Sequence, residues 1–225
     1  MDNAEKDIWE KICTIYQKTK EIALLSEEFS RTKSPDLQID LNTFIQPINE
    51  LKHAHDHIMR VRSIELKLHK TTDPDYTVKN LRKALGHEYR AFFDTADYFS
   101  IIIREDIQLI LEPYNSGIIS QVLPDYYTTI RPSITAISTE IAEIRMQKDI
   151  GQEGALKEPV DHYTELLKNL VAIHNGLVPC IPTLEELKRE ERSKERKNWL
   201  KNFLLLIIGG AIAGFFGWIF NRSPK

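Results

Sequence analysis

The sequence predicts an all-α protein: a helical bundle of about five helices, then a charged helical stalk, then one C-terminal transmembrane helix. Three observations lead to this prediction. Apolar residues recur at helical spacing, and no stretch shows sustained two-residue alternation. Segments with proline, glycine and small polar residues interrupt that pattern at intervals. Near the end of the chain, residues 203–220 carry no charge.

The first two predicted helices each carry an apolar stripe. The first should end near the turn SRTKSPD (30–36), and its stripe is Ile8, Ile12, Ile15, Tyr16, Ile22 and Phe29. The second is predicted for about residues 41–69, with a core-facing side of Phe44, Ile45, Ile48, Leu51, His55, Ile58, Met59 and Leu66. The segment TTDPDY (71–76) should separate it from the next helix, because proline and the residue before it disfavour helical backbone.

The third predicted helix, about residues 77–111, is apolar on nearly all sides and should therefore lie at the centre of the bundle. Its main stripe is Leu81, Leu85, Tyr89, Phe92, Ala96, Phe99, Ile103, Ile107 and Ile110. A loop containing Asn115, Ser116 and Gly117 should follow it.

The remaining predicted helices cover about residues 126–148 and 160–177, with the break IGQEGALKEP (150–159) between them. From Leu184 the chain is densely charged and favours helix, so it should run as a solvated stalk into the uncharged segment.

The uncharged segment FLLLIIGGAIAGFFGWIF predicts a transmembrane helix. Its eighteen residues would span about 27 Å, close to the hydrocarbon thickness of a bilayer. Trp199 and Trp218 lie near its ends, where aromatic residues favour the headgroup region. The resulting division is 1–180 for the bundle, 181–201 for the juxtamembrane helix, 202–221 for the transmembrane helix and 222–225 for a short tail.

Flanking charge predicts the orientation of the span. Seven Lys and Arg residues lie between positions 188 and 201, and only Arg222 and Lys225 follow the span. Because Lys and Arg concentrate on the cytoplasmic side, the N-terminal bundle should be cytoplasmic. We therefore expect a single-pass, tail-anchored protein of the inner cell membrane.

Small residues within the span predict self-association. Gly210 and Gly214 form a GxxxG step, and Gly217 lies nearly on the same face. Close backbone approach at such residues allows helices to pack in lipid. We therefore expect a homo-oligomer held through the span.

Composition excludes several classes of function. The net charge of −3 argues against a dedicated DNA-binding protein. Cys13 and Cys180 are the only cysteines, so a disulfide scaffold or a cysteine zinc site is not expected. His53 and His57, four residues apart on one helix, could share a metal ion, but no third ligand is evident from the sequence. We therefore predict neither a metal nor another cofactor.

Two segments thirty residues apart resemble each other. Aligned without a gap, ELKHAHDHIMR (50–60) and NLRKALGHEYR (80–90) share Leu, a basic residue, Ala, His and Arg at matching positions. One interpretation is a solvated face with weak ion pairs. The other is a polar network of His57, Arg60, His87, Arg90 and Asp94, which would need complete pairing if it is buried.

The segment RKALGH (82–87) resembles the Arg-polar-x-x-x-His motif of HEPN domains, which are helical bundles of bacterial toxin and defence systems. The resemblance implies a metal-independent ribonuclease, with Arg82 and His87 as catalytic residues acting on the RNA phosphate. His would serve as a general acid or base, and Arg would stabilise the developing charge. The chain departs from a symmetric pair of such motifs, because the first copy has Lys52 at the position of Arg82.

The sequence therefore favours a non-enzymatic, membrane-anchored helical interaction or oligomerisation protein. A bacterial transmembrane effector of the antiphage-defence kind, acting on the inner membrane, would fit this layout. Its expected partners are the bilayer, further copies of the chain and a protein partner or trigger. The alternatives are a membrane-tethered HEPN-like ribonuclease, which alone would bind RNA, and a tail-anchored adaptor.

Overall fold

A computed structural model describes residues 3–149 and 157–220, with side chains for all of these except 41, 147–149, 157, 158 and 211–220. The described residues form helices and contain no strand, which confirms the all-α prediction. The α-helices are α1 Asn3–Thr32, α2 Ile45–Glu65, α3 Tyr76–Leu111, α4 Ser116–Val122, α5 Arg131–Asp149, α6 Lys157–Leu177 and α7 Ile181–Phe220. Single turns of 3₁₀-helix precede α2 and α7, and a π-helical turn, Tyr126–Ile130, precedes α5.

Helix α3 is the centre of the bundle, and α1, α2 and α6 pack around it. Every residue of its predicted stripe is buried, and so are residues on its other sides, including Ala84, Ala91, Phe93 and Ile102. A helix that is apolar on several sides loses solvent-exposed area only when neighbours cover each side. This explains why α3 holds the central position.

Helix α1 packs largely as predicted. Five of its six stripe residues are buried, whereas Tyr16 is 52% exposed. Thr19 is buried instead, and its hydroxyl donates to the Ile15 carbonyl one turn earlier. That local hydrogen bond allows a polar side chain to be accommodated in the core.

The predicted face of α2 is correct only in part: Leu51 and Ile58 are half-buried, and Ile58 packs against the core. Ile45, Ile48, Met59 and Leu66 are at least half exposed, while the buried residues are Pro47, Glu50, Ala54 and Val61. The reason lies on α3, which supplies polar partners to the other side of α2 and so outweighs burial of the apolar stripe. The outward apolar stripe of α2 (Ile45, Ile48, Met59 and Leu66) therefore remains without a neighbouring helix among the described residues.

Helix boundaries differ from prediction at two places. Helix α2 ends at Glu65 rather than near residue 69, and Lys67 has the left-handed φ of 57° that terminates it. The expected loop at residues 115–117 instead begins α4, because the Asn115 side chain accepts a hydrogen bond from the Ile118 backbone and caps the helix. The bundle therefore has six α-helices before α7, within the part of the chain described.

Helix α7 begins against the bundle and then leaves it. Leu184 is fully buried, and the Asn115 amide donates to Glu191 over 2.7 Å. From Arg192 to Gly210 every residue is exposed, consistent with the predicted stalk. Within the described residues, no helix is both long enough and apolar enough to cross a membrane.

A buried Asp–His hydrogen bond joins three elements of the bundle. Asp106 on α3 and His174 on α6 have fully buried side chains, and His174 Nε2 lies 2.8 Å from Asp106 Oδ2. The Ser34 backbone N–H, just after α1, donates to both carboxylate oxygens over 2.9 and 3.0 Å. Because an ionised carboxylate only accepts, His174 must donate from Nε2. Asp106 thereby ties the end of α1 to α3 and α6.

Replacing Asp106 with Ala should destabilise the protein by about 3–5 kcal/mol, because the buried His174 Nε2–H and the part-buried Ser34 N–H would both lose their acceptor. Urea denaturation of the full chain, followed by circular dichroism, measures this change. The control is Glu105→Ala, one residue away on the exposed side of α3. Equal shifts of the two variants would contradict the role assigned to Asp106.

Glu88 is a second buried acid on α3, and its surroundings differ from those of Asp106. Only 5% of the residue is exposed, and its Oε2 accepts no hydrogen bond from the described residues. Loss of hydration disfavours the charged form and raises the pKa of Glu88 from 4.5 to about 7. The side chain is therefore protonated in the folded protein over a range where the unfolded chain is ionised.

The raised pKa of Glu88 predicts a stability that falls as the pH rises. Between pH 4.5 and about 7 the folded state retains a proton that the unfolded state has lost, so the free energy of unfolding decreases with pH. Glu88→Gln removes this titrating group. The free energy of unfolding of the variant, relative to that of wild type, should therefore rise by about 2–3 kcal/mol between pH 4.5 and pH 8. Urea denaturation at the two pH values measures it. A difference between variant and wild type that is constant with pH would refute the prediction.

A histidine cluster between α2 and α3

The two similar segments of the sequence lie against each other in the fold. Glu50, early in α2, contacts His87 and Arg90 of α3, whereas His57, later in α2, contacts Asn80, earlier in α3. The contacts run in opposite directions along the two helices, so α2 and α3 are antiparallel. One face of each segment therefore lies at a shared interface. We call the polar residues of this interface the histidine cluster: Glu50, His53, His57, Asn80, His87 and Arg90.

Glu50 is the centre of the cluster. Its side chain is 10% exposed, and its Oε2 lies 2.7 Å from both Arg90 Nε and His87 Nδ1. Its Oε1 accepts from the Gln46 amide over 3.2 Å. Burial alone would raise the pKa of Glu50, but hydrogen bonds from His87 and Arg90 and the charge of Arg90 outweigh it and lower that pKa. Glu50 is thus held as a carboxylate.

His87 Nδ1 has two neighbours with opposite requirements. It lies 2.7 Å from Glu50 Oε2, an acceptor, and 2.7 Å from Arg90 Nη2, a donor. One ring nitrogen cannot donate and accept at the same time. Donation to the carboxylate satisfies the buried charge, and it leaves Arg90 Nη2 without an acceptor at the ring. The arrangement is therefore tightly packed but incompletely satisfied.

The tautomer of His57 follows from its neighbour. Asn80 donates from Nδ2 to the Tyr76 carbonyl over 2.8 Å, so its Oδ1 is the acceptor that faces His57 Nδ1 at 2.9 Å. His57 Nδ1 must therefore carry a proton, and in the neutral ring Nε2 keeps its lone pair. The His57 and His87 rings stack, with centroids 5.5 Å apart and planes 19° apart.

Three residues of the cluster have the composition of a metal site. Glu50, His53 and His87 each place one ligand atom within 4.8 Å of the others. Sequence reasoning considered His53 with His57 and missed Glu50. The available signal was the spacing Glu50-x-x-His53, which places a carboxylate and an imidazole on one helix face. The third ligand, His87, comes from another helix, and its proximity could not be read from spacing.

The predicted polar network is assembled in part. His57, His87 and Arg90 meet in the cluster, with His87 and Arg90 both on Glu50. Arg60 instead pairs with Asp56 on α2 at 2.6 Å, with both side chains more than half exposed. Asp94 is partly buried on α3, one turn beyond Arg90. The network interpretation therefore describes the α2–α3 interface, and the solvated interpretation describes Arg60.

Arg82 and His87, the pair implied by the HEPN resemblance, lie on different sides of α3. Five helical residues turn the chain by about 140°, and Arg82 is exposed while His87 faces α2. Gly210 of the predicted glycine motif lies in open space, since a Cβ added there would meet nothing within 4 Å. Gly214 and Gly217 fall outside the residues whose side chains are described.

No protein-family model matches this chain, and neither does any curated protein or solved structure. The resemblance to HEPN domains therefore stays a prediction.

Proposed function

We propose that this chain is a membrane-anchored helical interaction protein that associates with itself. One observation carries the proposal: six consecutive apolar residues of α7, Phe203 to Ile208, are each about half exposed or more. Six residues turn through more than one full helical turn, so these side chains point in every direction. No single neighbouring helix could cover them, whereas lipid surrounds a helix on all sides.

The sequence around these residues supports the anchor. Residues 203–220 contain no charged side chain, and the preceding residues 188–201 contain seven basic ones. Exposed apolar surface costs about 25 cal/mol per Å² in water, and insertion in a bilayer removes that cost. The basic residues place the bundle on the cytoplasmic side of the inner membrane in this proposal.

Two surfaces support the interaction part of the proposal. The outward apolar stripe of α2 is at least half exposed at each of its residues, and exposed apolar side chains at the two ends of this helix are available for protein contacts. Gly210 leaves open space beside α7, as close packing of two helices requires. A homo-oligomer would use the glycine face within the membrane and would be free to use the α2 stripe outside it.

Two aspartates in the anchor should release the protein from membranes. Aspartate costs about 2.5–3.5 kcal/mol at the centre of a transmembrane helix, and less towards its ends. The variant Leu206→Asp with Ile208→Asp should therefore move from the carbonate-washed membrane pellet to the soluble fraction. Quantitative blotting of the two fractions measures the change.

The matched control carries two aspartates elsewhere. Leu68 and Met146 are 70% and 69% exposed apolar residues outside α7. Leu68→Asp with Met146→Asp should stay with the membrane. If both double variants distribute alike, or if wild type is already soluble, residues 203–220 do not anchor the chain.

Leucines on the glycine face should weaken self-association. Gly210→Leu with Gly214→Leu would hold two backbones apart, so the cross-linked dimer fraction in lipid vesicles should fall several-fold. Gly209→Leu with Ala213→Leu introduces the same two leucines at a Gly/Ala pair about 100° around the helix and should leave that fraction unchanged. An equal loss in both variants, or in neither, would argue against a glycine interface.

A further inference from the structure

We infer that Glu50, His53 and His87 form a binding site for one divalent transition-metal ion, best matched by Zn²⁺. Two imidazoles and one carboxylate are a ligand set that Zn²⁺ uses in three-residue sites, with water at the fourth position. Imidazole also disfavours Ca²⁺ and Mg²⁺, which take oxygen ligands. This inference concerns the bundle and does not depend on membrane anchoring.

The distances require only small side-chain movements. The three ligand atoms lie within 4.8 Å of one another. Bonds of about 2.0–2.1 Å in tetrahedral geometry hold ligand atoms about 3.3–3.4 Å apart. The widest pair would have to approach by at most about 1.5 Å, whereas Glu50 Oε2 and His87 Nδ1, now 2.7 Å apart, would have to separate by about 0.6 Å. Rotation about side-chain bonds supplies that movement, since His53 is exposed and His87 is 19% exposed at its side chain.

The surroundings orient the ligands. Gln46 donates to Glu50 Oε1 and leaves Oε2 directed at His87. The His57 ring, held by Asn80, stacks on His87, and the His53 ring centroid lies 5.2 Å from that of His87. Outer partners of this kind hold metal ligands in position and raise affinity.

Arg90 occupies the place of the cation in the structure described here. Its Nε lies 2.7 Å from Glu50 Oε2, and its Nη2 lies 2.7 Å from His87 Nδ1. A metal ion at this position would need the lone pair of a deprotonated His87 Nδ1 and an oxygen of Glu50, and the guanidinium of Arg90 would have to leave because it fills the same space with the same sign of charge. The Arg90 side chain is half exposed and can move into solvent. Metal binding would also remove the donor–acceptor conflict at His87 Nδ1.

The site would clamp α2 to α3 by metal bonds in place of the Glu50–Arg90 ion pair. His53 lies on the exposed side of the cluster, so a water molecule could reach the fourth coordination position. Such a metal-bound water is the usual source of hydrolytic chemistry at zinc.

Co²⁺ is the first probe, because its visible absorption reports a tetrahedral site. The full chain, without a histidine tag, is titrated with CoCl₂ in detergent micelles, and ZnCl₂ is then added to displace the ion. We expect one Co²⁺ per chain. Loss of a residue that only orients a metal ligand costs about 10–100-fold in affinity, so loss of a direct ligand in His53→Ala or Glu50→Gln should weaken binding by about 100-fold or more.

His55→Ala is the matched control, since His55 is an exposed residue of the same helix, two positions from His53. It should bind Co²⁺ as wild type does. Because His53 is itself exposed, its replacement leaves the core intact, and circular dichroism verifies that each variant is folded. Absence of a visible band at excess metal, or equal losses in His53→Ala and His55→Ala, would overturn the inference.

Arg90→Gln separates metal binding from a purely structural ion pair. If Arg90 competes with the ion, its neutral replacement should bind Co²⁺ about tenfold more tightly, as loss of a repelling neighbour predicts. If the cluster is only an ion-pair network, Arg90→Gln should bind no Co²⁺, and that result would also overturn the inference.

Discussion

The carboxylate of Asp106 has no exposed surface, and the bundle is arranged so that this charge is paired. Removing an ion from water costs several kcal/mol, and only close partners offset that cost. His174 and the Ser34 backbone supply those partners from two other elements, α6 and the turn after α1. The Asp106 carboxylate therefore fixes how α1, α3 and α6 are aligned along their axes, in addition to the burial of their apolar side chains.

The α2–α3 interface follows the same physical rule and produces a less usual result. Glu50 and His57 both find partners on α3, and α2 therefore turns inwards the face that carries them together with Pro47, Ala54 and Val61. The cost is an apolar stripe left facing outwards. Burial of apolar area is additive and non-directional, whereas a buried carboxylate needs particular donors at hydrogen-bond distance. Where the two requirements conflict, as they do in α2, the directional one decides the orientation.

Three buried acids among the described residues show how the surroundings set the charge of one chemical group. Hydrogen bonds from His87 and Arg90 and the charge of Arg90 outweigh burial and lower the pKa of Glu50. The carboxyl group of Glu88 is cut off from solvent, its Oε2 has no partner among the described residues, and its pKa is raised to about 7. Asp106 is paired from both sides. Carboxylates that keep their charge in a partly buried interface are those available to a cation, which distinguishes Glu50 as the ligand candidate.

The sequence by itself determined the helices, because the 3.6-residue period of apolar side chains is a local property of the chain. It also predicted α3 as the central helix, and placed His57, His87 and Arg90 in one polar set. It contained partial signals that were not used, such as Asp106 within an apolar stripe and the spacing of Glu50 with His53. Only the tertiary structure decided which face of α2 is buried and that Glu50, His53 and His87 converge. Those outcomes depend on distances between residues far apart in the chain, which no periodicity encodes.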